Sequence, residues 1–171
     1  FDITCPYAYV ASTKVEALAE RTHATLEPRP ILLGGLFRAH ATPQKLFATL
    51  PPAKARHNFA DMHRQAALAG LRLEMPANHP LRSVEALRAL LIVGVESPTF
   101  WPLVHALYRA YWVEGVDIST PEGLRRVLAS VPGIEVEAVL ARLDDPAIKQ
   151  DLRKRTDEAI AAGLFGVPGF V

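Results

Sequence analysis

The order of the chain's periodic segments limits its fold more than any other feature. Phe1-Asp2-Ile3-Thr4 alternates apolar and polar residues as a strand does. Cys5-Pro6 then starts a helix, since proline at the first helical position gives up an amide that has no intrahelical partner there. Helical composition runs from Tyr7 to Arg21, with Val15, Leu18 and Ala19 at helical spacing. Residues Ala24 to Leu33 predict a second strand ending in Ile31-Leu32-Leu33, stopped by Gly34-Gly35. Because Pro28 and Pro30 lack amide donors, that strand is expected at an edge or to be irregular.

A helical block follows from Pro51 to about Arg142. It predicts helices over Ala53–Ala69, with Phe59, Met62, Ala66 and Ala69 on one side, and over Ser83–Val95. A third starts at Pro98, with Phe100, Leu103, Val104, Leu107 and Tyr111 as its apolar stripe. Thr120-Pro121-Glu122 reads as a cap, a proline and a first-turn acid. Two more helices are expected at Ile134–Leu143 and Pro146–Ala162, the latter closed by Gly163. Leu164 to Val171, rich in Gly and Pro, then reads as a turn entering a strand. A β-α-β start implies a parallel pair joined by a right-handed crossover. The expectation is therefore an α/β domain interrupted by a helical insertion, with segments 1–33, 34–145 and 146–171. Strand patterns that run up to both ends predict a chain incomplete at each.

Composition narrows the function. Nineteen basic against eighteen acidic residues give a net charge of +1, which argues against nucleic acid or an acidic membrane as partner. No apolar run reaches the ~18 residues of a membrane span. No leader pattern precedes Phe1, so the cytoplasm is the default expectation. One cysteine excludes an intrachain disulfide and a CxxC couple.

Cys5 stands where a predicted strand meets a helix. Unpaired amides and the helix dipole at that place stabilise a negative sulfur, the setting of a lowered thiol pKa. The alternative is a small buried hydrophobe. Gly166-Val167-Pro168 is a candidate for a cis proline, with an ordinary turn as the alternative. The histidines other than His79 lie on helix faces or loops without carboxylates at ligand spacing, and no metal is assigned. Arg153-Lys154-Arg155 reads as a solvated helix face, and Trp101, Tyr108, Tyr111 and Trp112 as packing.

Together these stretches resemble the DsbA-like branch of the thioredoxin superfamily, and within it the 2-hydroxychromene-2-carboxylate isomerases and kappa-class glutathione transferases. Phe1 to Tyr9 is similar to that family's opening, Pro30 to Phe37 to its second strand and the loop after it. Trp112-Val113-Glu114-Gly115-Val116-Asp117-Ile118 is similar to an insertion motif, and Thr156 to Pro168 to the last helix and cis-proline loop. The resemblance implies a thioredoxin-like fold of the DsbA/kappa type with a helical domain inserted after the second strand. It implies glutathione along the cis-proline strand, bound by Cys5, Pro6, Tyr7, Val167 and Pro168, with its sulfur at the first helix.

Relatives usually carry serine where this chain has Cys5, and Ala8 fills the place of the second cysteine of a dithiol. The implied reaction is glutathione-dependent cis-trans isomerisation of a conjugated aromatic carboxylic acid. Phe37, Arg38, Lys54, Asn78, His79 and Arg82 would line the substrate. For these the residues themselves leave open ordinary roles: loop or surface cations, an exposed loop histidine, a loop cap. A kappa-type transferase, a monothiol disulfide oxidoreductase using Cys5 and a non-catalytic binding module stay as alternatives. By resemblance the protein is expected to be a homodimer.

Overall fold

The computed structural model describes residues 1–171, the side chain of Phe47 excepted. Its helices are α1 (Pro6–Ser12), α2 (Val15–Thr22), α3 (Leu33–Ala39), α4 (Leu46–Thr49), α5 (Pro52–Leu68), α6 (Val84–Val93), α7 (Phe100–Trp112), α8 (Pro121–Ala129), α9 (Val136–Ala141) and α10 (Pro146–Ala161). None of the described helices is long and apolar enough to cross a membrane.

The core is built around α7. Phe100, Leu103, Val104, Leu107, Tyr108 and Tyr111 recur every three or four residues and are fully buried, together with Trp112. This is the stripe expected of a helix enclosed by its neighbours. Two of its aromatics reach back to the start of the chain. Trp112 Nε1 donates to the Ile3 carbonyl at 2.9 Å and the Tyr108 hydroxyl to the Asp2 carbonyl at 3.3 Å. Helix α10 packs on α6 and α3, and α1 on α5 and α7.

The expected strands at Phe1–Thr4, Ala24–Leu33 and Leu164–Val171 do not form among the described residues. What forms at the start is one parallel rung. The Phe1 amine donates to Arg29 O at 2.9 Å, and Ile31 N donates to Phe1 O at 3.0 Å. The next donors are diverted to side chains. Leu33 N goes to Asp2 Oδ2 at 2.9 Å and Leu32 N to Thr156 Oγ1 at 3.1 Å, while Ile3 O is occupied by Trp112. The Leu164–Val171 tail is irregular, with Phe165, Phe170 and Val171 exposed.

Asp2 ties these pieces together. It is 1% exposed, yet both carboxylate oxygens are satisfied. Oδ1 accepts from Thr4 N and Thr4 Oγ1, and Oδ2 from Leu33 N and Ser83 Oγ. A buried charge is tolerated when donors replace its water.

Other expectations shift in detail. The single helix predicted over Tyr7–Arg21 is two. Ser12 Oγ and Thr13 Oγ1 donate to the carbonyls of Tyr9 and Val10, which competes with the helical ladder and ends α1. Gly34 and Gly35 stop nothing; they lie inside α3. A Cβ on Gly35 would sit 2.7 Å from Thr156 Cγ2, so this glycine permits α3 to approach α10. The caps at Thr120 and Gly163 form as expected. The Thr120 side chain accepts from Gly123 N, and Gly163 follows α10 at φ +81°.

Candidate active site

Cys5 caps α1 with an extended backbone, and Pro6 occupies the first helical position. Its thiol is 6% exposed and donates to the Val167 carbonyl at 3.1 Å. The Val167–Pro168 peptide bond is cis. Residues 162 positions apart are thus held in direct contact. Ala8, Phe1 and Pro168 also line a large cleft of about 830 Å³ that runs between α2, residues 24–31 and the end of α10.

The electrostatics reverse the expectation of a lowered thiol pKa. Burial pushes Cys5 up to about 11, against the opposing pull of the Ala8 and Tyr7 amides, and the Asp2 carboxylate adds to the rise. The helix terminus is where it was expected; the loss of water outweighs it. At neutral pH Cys5 is a thiol with a proton to donate. The amides of the first turn nevertheless converge on the sulfur, so the position suits an anionic ligand atom.

Beside Cys5, Tyr7 is half-buried and its hydroxyl donates to Asp61 Oδ2 on α5 at 3.1 Å. Burial, then this bond, pushes Tyr7 up to about 12. The same helix carries Ala55, Arg56, Phe59 and Met62, which line a second cleft of about 480 Å³ with Met75, Pro76, Ala77 and His79. His79 meets Tyr111 there, Nδ1 lying 2.8 Å from the Tyr111 hydroxyl. Burial holds its imidazole down to about 4. A second cis peptide, His79–Pro80, lies in this loop.

The remaining substrate candidates scatter. Phe37 is half-buried and Arg38 exposed on α3, rather than in a loop that follows a glycine break. Lys54 is exposed on α5, and Arg56 two residues on is the cation that lines the cleft. Asn78 is exposed, and Arg82 is paired with Glu85 at 2.7 Å. Of these six residues, His79 alone lines the second cleft. Sequence reasoning missed Asp61, Arg56, Phe59 and Met75 as site residues. The usable signs were that Phe59 and Met62 share a helical face and that the resemblance marked Asn78 and His79 in the loop that covers it.

A family model described as the DSBA-like thioredoxin domain matches residues 1–171. The 2-hydroxychromene-2-carboxylate isomerase of Sphingobium xenophagum is 29% identical over 168 residues, 98% of this chain and 84% of the relative. The glutathione S-transferase kappa 2 of Caenorhabditis elegans is 23% identical over 177 residues, 98% of this chain and 76% of that protein. A solved 2-hydroxychromene-2-carboxylate isomerase superposes with a TM-score of 0.83 at 26% identity, covering 98% of this chain and 80% of that one. The ordered motifs, the cysteine at the helix start, the cis proline facing it and a match over the whole chain lead to one conclusion: the chain belongs to the DSBA-like thioredoxin domain family.

Proposed function

We propose that this protein is a glutathione-dependent enzyme that isomerises a conjugated aromatic carboxylic acid about a double bond. The observation that supports it best is the thiol proton of Cys5 lying on the carbonyl of Val167, the residue before the cis proline. Residues 1–33 and 146–171 form the glutathione half in this reading, and residues 34–145 supply the substrate side. Bound glutathione supplies a thiolate that adds to the conjugated carbon, permits rotation about the former double bond and leaves again. Every other task falls to the chain.

Cys5 turns its S–H from Val167 O to the ligand sulfur, which the first-turn amides also face. The resemblance implies a serine hydroxyl for this part; in this chain it falls to a thiol, a weaker donor. With its pKa near 11, Cys5 supports an anion rather than becoming one. Val167, freed from the thiol, pairs its backbone with the extended tripeptide, and Pro6, Tyr7 and Pro168 shape the walls around it. The second cleft takes the aromatic acid, with Phe59 and His79 as its walls and Arg56 near the carboxylate. Phe37, Arg38, Lys54, Asn78 and Arg82 stay as outer candidates for the same substrate. Two subunits are proposed per molecule, as the family resemblance implies.

Calorimetry with glutathione and a turnover assay on 2-hydroxychromene-2-carboxylate test the reading. The expected result is binding that Cys5→Ser preserves and Cys5→Ala weakens about tenfold, the worth of one hydrogen bond to an anion. Absence of glutathione binding by the unaltered protein overturns it.

A further inference from the structure

Tyr111 lies on α7, far in sequence from any expected site residue, and is completely buried. Its oxygen accepts from Leu81 N at 3.1 Å and stands 2.8 Å from His79 Nδ1. A tyrosine hydroxyl has one proton to place. Among the described residues its hydrogen-bond neighbours are Leu81 N, which is a donor, and His79 Nδ1. No water can reach a hydroxyl on a side chain with no exposed surface. The proton therefore goes to Nδ1. Were Nδ1 protonated instead, two donors would meet on the Tyr111 oxygen and its own proton would be buried without a partner, a costly arrangement.

We infer that Tyr111 is a positioning residue that locks His79 as the Nε2–H tautomer, so that the second cleft presents a fixed neutral donor to an acceptor oxygen of an aromatic acid. Nδ1 is spent on Tyr111, and Nε2 makes no hydrogen bond among the described residues. The other ring nitrogen thereby carries the proton, since a neutral imidazole has one donor and one acceptor. The Trp112 ring, 5.2 Å away between centroids, packs against the imidazole and restricts its rotation. From α5 across the cleft comes Arg56, a cation without an ion pair among the described residues and suited to a carboxylate.

Two shifts agree with this geometry. Burial keeps His79 neutral well below neutrality, and it pushes Tyr111 up to about 12, so the tyrosine keeps the proton it donates. Asp2 and Asp117 are the charges that act on Tyr111 from outside its own helix, and both raise it further. The ligand class is then an aromatic acid with a carbonyl or enolate oxygen a short distance from its carboxylate. A flat hydrocarbon acid would leave Nε2–H without a partner. This ligand class rests on the second cleft being the substrate side; the tautomer does not.

The experiment has two arms. In the first, long-range proton–nitrogen spectra of histidine-labelled protein at pH 8 are assigned by comparison with His79→Gln. His79 should give an acceptor-type shift at Nδ1 and a protonated shift at Nε2, and Tyr111→Phe should turn this into a mixture. A protonated Nδ1 in the unaltered protein overturns the inference, and that spectrum decides even if the Phe variant fails to fold. The second arm compares benzoylformate with phenylacetate by calorimetry. Benzoylformate should bind about tenfold more tightly, roughly one hydrogen bond's worth. The preference should survive in His79→Gln, whose amide still offers an N–H, and vanish in His79→Leu. A preference unchanged in His79→Leu, or no binding of either acid, overturns the ligand class. Glutathione binding is read separately, so failure of the proposed reaction leaves the tautomer result standing.

Discussion

Cys5 and His79 make a natural pair for comparison. Each lies in or beside a cleft and each is a group that chemistry can use. Burial moves their pKa values in opposite directions, to about 11 and about 4. The cause is common: loss of water penalises the charged form, which for a thiol is the deprotonated state and for an imidazole the protonated one. Both are therefore neutral near pH 7, and both are donors. They differ in what holds them. Cys5 is held through backbone, between the first-turn amides of α1 and the Val167 carbonyl. His79 is held through a side chain, the Tyr111 hydroxyl. A backbone setting does not depend on one side-chain partner; a side-chain setting does.

The largest effect is expected from breaking the Cys5 side at its foundation. Asp2→Ala removes the acceptor of two backbone amides and two hydroxyls, all in or near the core. Buried donors left unpaired cost a kilocalorie or more each, so the loss should be about 3 kcal/mol or larger in urea unfolding. A loss under about 1 kcal/mol would mean that water reaches these donors.

The next effect concerns reactivity. A pKa raised from an ordinary value near 9 to about 11 leaves roughly one-hundredth of the usual thiolate at neutral pH. Alkylation of Cys5 by iodoacetamide should be about 100-fold slower than that of a free thiol, with its half-point near pH 11. A half-point at or below the ordinary value of 9 would break the comparison with His79 and return the disulfide-exchange reading to favour.

How much of this was legible in the sequence depends on the range of the interactions. Cys5-Pro6, Thr120-Pro121 and Gly163 announced helix ends because capping is local. The pairing of Cys5 with Val167 was reached through resemblance of ordered motifs, since no spacing rule links them. Gly34-Gly35 misled because glycines after an apolar run read as the stop of a strand, whereas in this fold they lie inside α3 and Gly35 provides the close approach to Thr156. The direction of the Cys5 shift was lost because a helix terminus shows in sequence and desolvation does not. The donors to Asp2 come from Thr4, Leu33 and Ser83, and the Tyr111 contact to His79 spans 32 positions. Neither pattern has a sequence period to betray it.

A third effect sets the two groups against pH. His79 has a depressed folded pKa, so its contribution to stability is full above its unfolded value of 6.5 and is lost as pH falls through about 4. Cys5 has a raised one, so its contribution is full below about 9 and is lost as pH rises through about 11. Stability measured from pH 7 down to 4 should fall less steeply in His79→Gln than in the unaltered protein, by ~1–2 kcal/mol at the acid end once solvent screening of a half-buried ring is allowed for. Between pH 9 and 11 the same comparison with Cys5→Ser should show the alkaline counterpart. Identical slopes in variant and parent at either end would remove that group from the account.

The smallest effect tests the connection between the two regions. Tyr7 belongs to α1, the helix that Cys5 caps, and its partner Asp61 belongs to α5, the helix that carries Phe59 and Met62 into the second cleft. Their hydrogen bond is partly buried and ends on a carboxylate, so Tyr7→Phe should cost about 1 kcal/mol. Asp61→Asn should cost no more than that, because the tyrosine keeps an acceptor, though one of lower charge; Asp61→Ala removes the acceptor and should match Tyr7→Phe. Since Tyr7→Phe and Asp61→Ala remove one shared interaction, the double variant should lose less than the sum of the singles, with a coupling of about 0.5–1 kcal/mol. The Cys5 alkylation half-point should move little in Tyr7→Phe, because burial is the chief cause of its rise and Tyr7 acts on it through its backbone amide, which the substitution keeps. Additive losses in the double variant would mean that α1 and α5 meet only through apolar packing, leaving the Asp2–Ser83 hydrogen bond to join the Cys5 and His79 regions.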